Sequence, residues 1–276
     1  MARTSTPGES SSKSLESELR VVLQGILPGD LRFFDSIGST NDEALAWASS
    51  SAPDFSLVIA DEQTRGRGRM GRTWFTPPGS ALAFSLVLRP QGAEREKVGL
   101  FSGLGALALV DALKAHGIEA QVKWPNDVLI RRKKVAGILA ETVWLGTEVD
   151  SVVLGMGVNV SPDSVLPPEG LNYPATCVQA EAGKPIPRID LLKTLLEAIL
   201  RRRAVLTADT FLRDWESALA FRGESVRVWM NEAETLTGRL LGLEAGGSLR
   251  LGLPDGTIKL IRFGEVHLRP EHTTGL

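Results

Sequence analysis

The sequence predicts an α+β fold: a central mixed or antiparallel sheet with flanking helices, followed by a small all-β domain. Three observations carry this expectation. Apolar runs of strand length recur at Ser56–Asp61, Ala81–Leu88, Val135–Val143 and Val152–Val160, several of them in close succession. A long helical pattern over Glu94–His116 presents Leu100, Leu104, Leu107 and Val110 to a core, and Gly117 stops it. From Gly223 the texture changes to short apolar runs around Val226, Val228, Leu236, Leu240, Leu249, Leu251, Ile258 and Leu260, separated by turns at Glu244–Gly247 and Pro254–Gly256.

The remaining elements follow in order. Residues 1–13 read as a disordered tail rich in Ser, Pro and Gly. Leu15, Leu19, Val22, Leu23 and Ile26 then recur at helical spacing, and Pro28-Gly29 ends that helix. Arg32–Ile37 reads as a strand. Ser39 and Thr40, each followed three residues later by an acidic residue, predict the start of a helix over Asn41–Ser49. Further short strands are expected at Ala120–Lys123 and Val128–Arg131, with Arg131–Lys134 at a turn, and helices over Ile189–Ala204 and Ala208–Ala220. The expected division is a tail over 1–13, a main domain over 14–222 and a β domain over 223–270. The last is too small to be stable without leaning on the main domain.

Composition narrows the function classes. Lys+Arg is 31 and Asp+Glu is 33, so no global field draws the chain onto nucleic acid or an anionic membrane. The single cysteine, Cys177, excludes an internal disulfide and a multi-cysteine metal site, and fits a reducing cytoplasm. No secretory leader and no membrane-spanning run is expected.

The segment Gly66-Arg67-Gly68-Arg69-Met70-Gly71-Arg72-Thr73-Trp74 is the most informative. Its glycines allow close backbone approach to a ligand, and its three arginines supply charge and forked donors, which suit phosphates and carboxylates. The plain alternative is a solvated basic loop. Gly66, Gly68 and Gly71 also spell the dinucleotide-binding G-x-G-x-x-G, but that motif needs a helix to open at once, and Trp74-Phe75-Thr76-Pro77-Pro78-Gly79 forbids one.

The loop resembles the G-R-G-R-x-G-R-x-W signature of biotin protein ligases. Four further segments match that family in its order: Gly38-Ser39-Thr40-Asn41, Lys123-Trp124-Pro125-Asn126-Asp127, Lys134-Val135-Ala136-Gly137-Ile138-Leu139-Ala140-Glu141, and Gly155-x-Gly157-x-Asn159. The resemblance runs from about residue 32 to the C terminus. It implies a catalytic domain like that of class II aminoacyl-tRNA synthetases and an SH3-like C-terminal barrel. The implied activity is a two-step, ATP-dependent ligation through biotinyl-5'-AMP, with Mg²⁺ accompanying ATP. The acceptor is a lysine of a biotin carboxyl carrier protein, and a homodimer is consistent with the family.

The resemblance also implies roles. Ser39, Thr40, Gln63, Gly66, Arg67, Lys134 and Gly137 are expected to bind biotin. Arg69, Arg72, Trp74, Lys123, Asn126 and Asn159 are expected to bind ATP. Lys134, Arg69 and Asp127 are expected to be catalytic, with Asp127 facing Mg²⁺ or the incoming acceptor lysine. Each has a plain alternative: helix capping for Ser39, a surface ion pair for Arg72, core packing for Trp74, and turn capping for Asn126, Asp127 and Asn159. Where the family often carries A-T-S-L, this chain has Ala175-Thr176-Cys177-Val178; the readings are a harmless small-residue swap or a thiol near the nucleotide, and no catalytic role is expected of it. About thirty residues precede the catalytic segment, too few for a winged-helix DNA-binding domain. The short, non-repressor form without nucleic-acid binding is therefore expected. The competing readings are a lipoate or octanoate ligase, a non-catalytic biotin-binding module and a DNA-binding repressor.

Overall fold

The structure, a computed structural model, describes residues 7–167, 169, 173–229, 235–262 and 267–270. Helix α1 (Pro7–Leu23) starts earlier than the sequence suggested, so residues 7–13 are helical; residues 1–6 of the expected tail lie outside the described residues. Leu19 and Leu23 are buried against the main core, as the helical spacing predicted.

Seven strands form the large sheet: β1 (Leu31–Ile37), β2 (Ser56–Gln63), β3 (Ala81–Leu88), β4 (Gln121–Lys123), β5 (Asp127–Ile130), β6 (Lys133–Leu145) and β7 (Glu148–Asn159). Their order is β1-β2-β3-β7-β6-β5-β4. Only β1 and β2 run parallel, joined by the crossover helix α2 (Thr40–Ser50); the other pairs are antiparallel. The sheet is therefore mixed but mainly antiparallel, as expected. Strand β3 is buried at every position and β7 at nearly all. Such strands are covered on both faces and show no alternation, which is why they read as continuous apolar runs.

One face is covered by α3 (Phe101–Ala115), α5 (Arg188–Arg203) and α6 (Asp209–Ala218). The expected helix over Glu94–His116 is broken: Gly92–Leu100 winds as 3₁₀ turns with a non-helical Lys97, and the regular helix begins at Phe101. The stretch Gly92–Ala115 is long and apolar enough to cross a membrane by composition, but α3 is a core helix with Phe101, Leu104, Leu107 and Leu109 fully buried. A short helix not anticipated from sequence, α4 (Val178–Ala182), follows Cys177; one turn is too short to leave a periodic signal.

The C-terminal strands β8 (Ser225–Trp229), β9 (Thr235–Leu243), β10 (Leu249–Gly252), β11 (Ile258–Ile261) and β12 (His267–Pro270) form a separate antiparallel sheet in the order β11-β10-β9-β8-β12. Val226, Val228, Leu240, Leu249, Leu251 and Ile261 belong to the same contiguous buried cluster as the large sheet. Polar links tie the C-terminal sheet to the main domain: the Trp124 indole N–H donates to the Gly247 carbonyl at 2.9 Å, the Leu243 amide donates to Glu216 Oε1 on α6 at 2.7 Å, and Arg132 donates to Glu224 at 2.6 Å.

Candidate active site

A cavity of about 110 Å³ lies over β6 and β7, under the loop that joins β2 to β3. That loop is a tight finger. The Trp74 amide donates to the Gly66 carbonyl at 2.8 Å and the Gly68 amide to the Arg72 carbonyl at 2.7 Å. Its tip, Arg69–Gly71, turns through left-handed Met70 and Gly71. A side chain at Gly66 would meet the Trp74 carbonyl at 2.3 Å, so the finger closes only around glycine. Gly66 thus shapes the loop and does not itself line the cavity.

The finger delivers Trp74 onto the sheet. A Cβ at Gly157 would lie 2.3 Å from the indole, and one at Gly137 would lie 3.3 Å from it. The ring therefore rests where β6 and β7 carry no side chains. Its Nε1 is buried and finds no hydrogen-bond acceptor among the described residues.

Charge gathers at one end of the cavity. Lys134 Nζ lies 2.7 Å from Asp127 Oδ1 and Lys123 Nζ lies 3.1 Å from Asp127 Oδ2. Burial pushes the Asp127 carboxyl up, but the Lys134 and Lys123 charges outweigh it and hold the group well below the usual carboxylate range. Lys134 Nζ also sits 5.4 Å from the Trp74 ring centre. Local backbone explains its placement. The pairing of β5 with β6 shifts register between Val128 and Leu129, leaving Val135 as an extra residue, and such a bulge re-aims the neighbouring side chain. The Lys134 amide and carbonyl pair instead with Pro174 and Thr176, at 2.7 and 2.9 Å.

Arg69 donates to Asn126 Oδ1 at 3.1 Å, and Asn126 Nδ2 donates to the Ile138 carbonyl at 2.8 Å. Burial pulls the Arg69 pKa below its ordinary value, with Asp127 opposing and Arg72 adding to the shift; the guanidinium stays cationic. Arg67 also lines the cavity, but its guanidinium is engaged by carboxylates. It makes a two-point contact with Glu141, at 3.1 and 2.7 Å, and lies 2.8 Å from Asp42.

The other end is neutral and polar. The Thr40 amide and hydroxyl donate to Gln63 Oε1 at 2.8 and 3.1 Å, and Gln63 Nε2 donates to Thr76 Oγ1 at 3.2 Å. Ser39 caps α2, with the Asp42 amide 3.5 Å from its hydroxyl, and its side chain also faces the cavity.

A volume with neutral donors and acceptors at one end and several cations around a single carboxylate at the other fits a ligand that is polar but uncharged at one tip and anionic at the opposite tip. Comparison with known proteins agrees. Over 226 residues the chain is 40% identical to the biotin--[acetyl-CoA-carboxylase] ligase of Paracoccus denitrificans, covering 79% of this chain and 92% of that protein. The chain belongs to the biotin protein ligase family. It is also 34% identical to the bifunctional ligase/repressor BirA of Bacillus subtilis, over 93% of this chain and 79% of that one. Residues 33–159 match the model of the biotin/lipoate A/B protein ligase family. Among solved structures, the Aquifex aeolicus biotin protein ligase in complex with biotin and ATP aligns with a TM-score of 0.74 at 31% identity, covering 88% of this chain and 99% of that chain.

In this biotin protein ligase fold, Ser39, Thr40, Gln63, Arg67, Arg69, Arg72, Trp74, Lys123, Asn126, Asp127, Lys134 and Gly137 all line the one cavity. Two residues singled out in the sequence do not. Gly66 lies in the finger's hairpin, and Asn159 is buried at the end of β7, donating to the Thr176 carbonyl at 3.1 Å. The latter is the turn-bracing alternative for an Asn at a strand end. Cys177 is buried and is not part of the cavity wall. Both Asp127 oxygens are taken up by lysines, and no group of three or more metal-ligating side chains occurs among the described residues. That donor set does not fit a protein-held Mg²⁺.

Motif residues with no role expected from the sequence also matter. Asn41 and the β7 residues Gly155, Met156 and Gly157 line the cavity, and Glu141 anchors Arg67. Motif membership was the available signal. Their roles depend on contacts across about a hundred residues of chain, which no local pattern encodes.

Proposed function

We infer that the chain condenses biotin with ATP to biotinyl-5'-AMP and pyrophosphate, then transfers the biotinyl group to a lysine of a biotin carboxyl carrier domain. The observation that carries this reading is the cationic cluster of Lys134, Lys123 and Arg69 around Asp127, facing a cavity whose far end is neutral. In the first step a biotin carboxylate oxygen attacks the α-phosphorus and the bond to pyrophosphate breaks. Two anions must meet, and the Lys134 ammonium and Arg69 guanidinium are the groups placed to share the gathering charge. In the second step the acceptor amine attacks the acyl carbon and AMP leaves. Asp127 orients Lys134 through their 2.7 Å ion pair. Trp74 and Trp124 wall the cavity with apolar surface, which strengthens each of these interactions by excluding water.

Ser39, Thr40 and Gln63 are assigned to the ureido ring, whose carbonyl and two N–H groups need neutral partners. Arg72, Lys123 and Asn126 are assigned to the nucleotide side. Mg²⁺ is assigned to ATP's own phosphate oxygens and to the waters this ion usually keeps. The reading places the enzyme in the cytoplasm, acting on a carboxylase carrier domain. It includes no specific binding to duplex DNA, and a mobility shift surviving physiological salt and competitor DNA would contradict that part.

Lipoate or octanoate ligation is the second reading, since the matching family model spans both chemistries. The neutral polar end favours biotin, because an alkyl chain would make no use of the hydrogen-bonding groups that Ser39, Thr40 and Gln63 bring to the cavity. Pyrophosphate release from ATP, measured with biotin, lipoate and octanoate in parallel, separates the two. Release with biotin alone is expected; release with lipoate or octanoate at equal rates would overturn the assignment.

A further inference from the structure

Four of the sequence segments meet at a point outside the reacting end of the cavity. Asn41 ends the first segment, Arg67 lies in the basic finger, Glu141 ends the strand segment and Gly155 opens the last. Asn41 Nδ2 donates to Glu141 Oε2 at 2.7 Å and to the Leu139 carbonyl at 3.2 Å. Asn41 Oδ1 accepts from Ser85 Oγ at 2.6 Å. A Cβ at Gly155 would lie 1.9 Å from Asn41 Oδ1, so β7 must carry glycine where the amide crosses it. The Asn41 amide is thereby fixed on both sides, and it fixes Glu141.

Glu141 in turn takes Arg67 in a two-point contact, with Asp42 as a second carboxylate on the same guanidinium. One cation facing two carboxylates carries no surplus positive charge to offer an anion. Forked guanidinium–carboxylate pairs also fix geometry as well as energy. We infer that Glu141 is a positioning residue: held by Asn41, it anchors Arg67 and through it the finger, so that Arg67 braces the loop while Arg69 and Lys134 face the anionic substrates. This inference rests on the proposed ligase reading. Other polar links hold the finger at its base, where the Thr64 and Arg65 amides donate to the Ile37 and Gly38 carbonyls and Gln63 meets Thr76, and near its tip, where Arg69 meets Asn126.

The test is a double-mutant cycle of Glu141→Gln and Arg67→Ala, read two ways. Hydrogen exchange over residues 64–76 reports the finger directly. Dissociation of preformed biotinyl-AMP, followed by its escape into solution, reports what the finger retains. Wild-type pyrophosphate release with biotin is measured first; if it is absent, the ligase reading fails, and the exchange data still judge the brace. Each single substitution is expected to speed finger exchange and adenylate escape about fivefold or more. The double substitution should add nothing, because both act through one contact. Glu141→Gln effects that persist in the Arg67→Ala background, or finger exchange at the wild-type rate in either single variant, would overturn the inference. If Glu141→Gln fails to fold, Arg67→Ala alone decides: unchanged finger exchange in that variant overturns the brace.

Discussion

Lys133 and Lys134 are neighbours in sequence and differ in surroundings. Lys133 is exposed, 3.8 Å from Glu181, and Lys134 is three-quarters buried against Asp127. The distinction was legible beforehand because Lys134 stands before an apolar run and matches the lysine of the family's segment. The bulge at Val135 that aims it was not, since one extra residue leaves no trace in an apolar run. Lys134→Ala is expected to lower single-turnover pyrophosphate release by about 100- to 1,000-fold with an unchanged circular dichroism spectrum, and Lys133→Ala to leave it near wild type. Asp127 gives a pH prediction. Its folded carboxyl titrates below its ordinary range, so the stability it contributes is fully present above the unfolded value of 3.8 and is lost as pH falls below it. The stability gap between wild type and Asp127→Asn should therefore be flat from neutral pH to about pH 5 and shrink in more acid solution. A gap that grows on acidification would show that the lysines do not control this group.

At the scale of elements, the finger and β7 form one device. The finger's composition pointed to anion binding, which stays part of the proposal; the proline-rich stretch after Trp74 ruled out a nucleotide-binding helix, and the hairpin observed carries no α-helix there. Its seat on Gly157 could not be read locally, because residues 74 and 157 meet only through the sheet. Gly157→Ala would drive a methyl group into the Trp74 indole. A loss of about 1–3 kcal/mol is expected, as for other overpacked sites. Most of it should vanish in a Trp74→Ala background, where the clash is gone. Chemical denaturation of the four proteins checks this, and additive losses would mean that the ring does not rest on β7. The helix over residues 92–115 shows the opposite case. Its apolar spacing was plain, but the 3₁₀ turns before Phe101 were not, because Gly92 and the non-helical Lys97 break the backbone without breaking the pattern.

For the whole molecule, the change of texture at Gly223 was enough to expect a second, all-β sheet, whereas its attachment was not visible. That attachment runs through Trp124, whose ring walls the cavity and whose Nε1 reaches the Gly247 carbonyl. Trp124→Phe removes the donor and leaves a buried carbonyl unpaired, a change that typically costs about 1–3 kcal/mol. Faster hydrogen exchange across β9 and β10 is expected, together with slower adenylation; unchanged exchange there would mean that the Trp124 hydrogen bond does not hold the second sheet. The matches to biotin ligases span both sheets, so the account stands or falls on the complete reaction. Its most direct test is incubation of the full chain with biotin, MgATP and a biotin carboxyl carrier domain, read by intact mass. The account predicts that the carrier gains one biotinyl group on its acceptor lysine, with ATP required and Lys134→Ala nearly inactive. No mass gain, or an equal gain with Lys134→Ala, would contradict it.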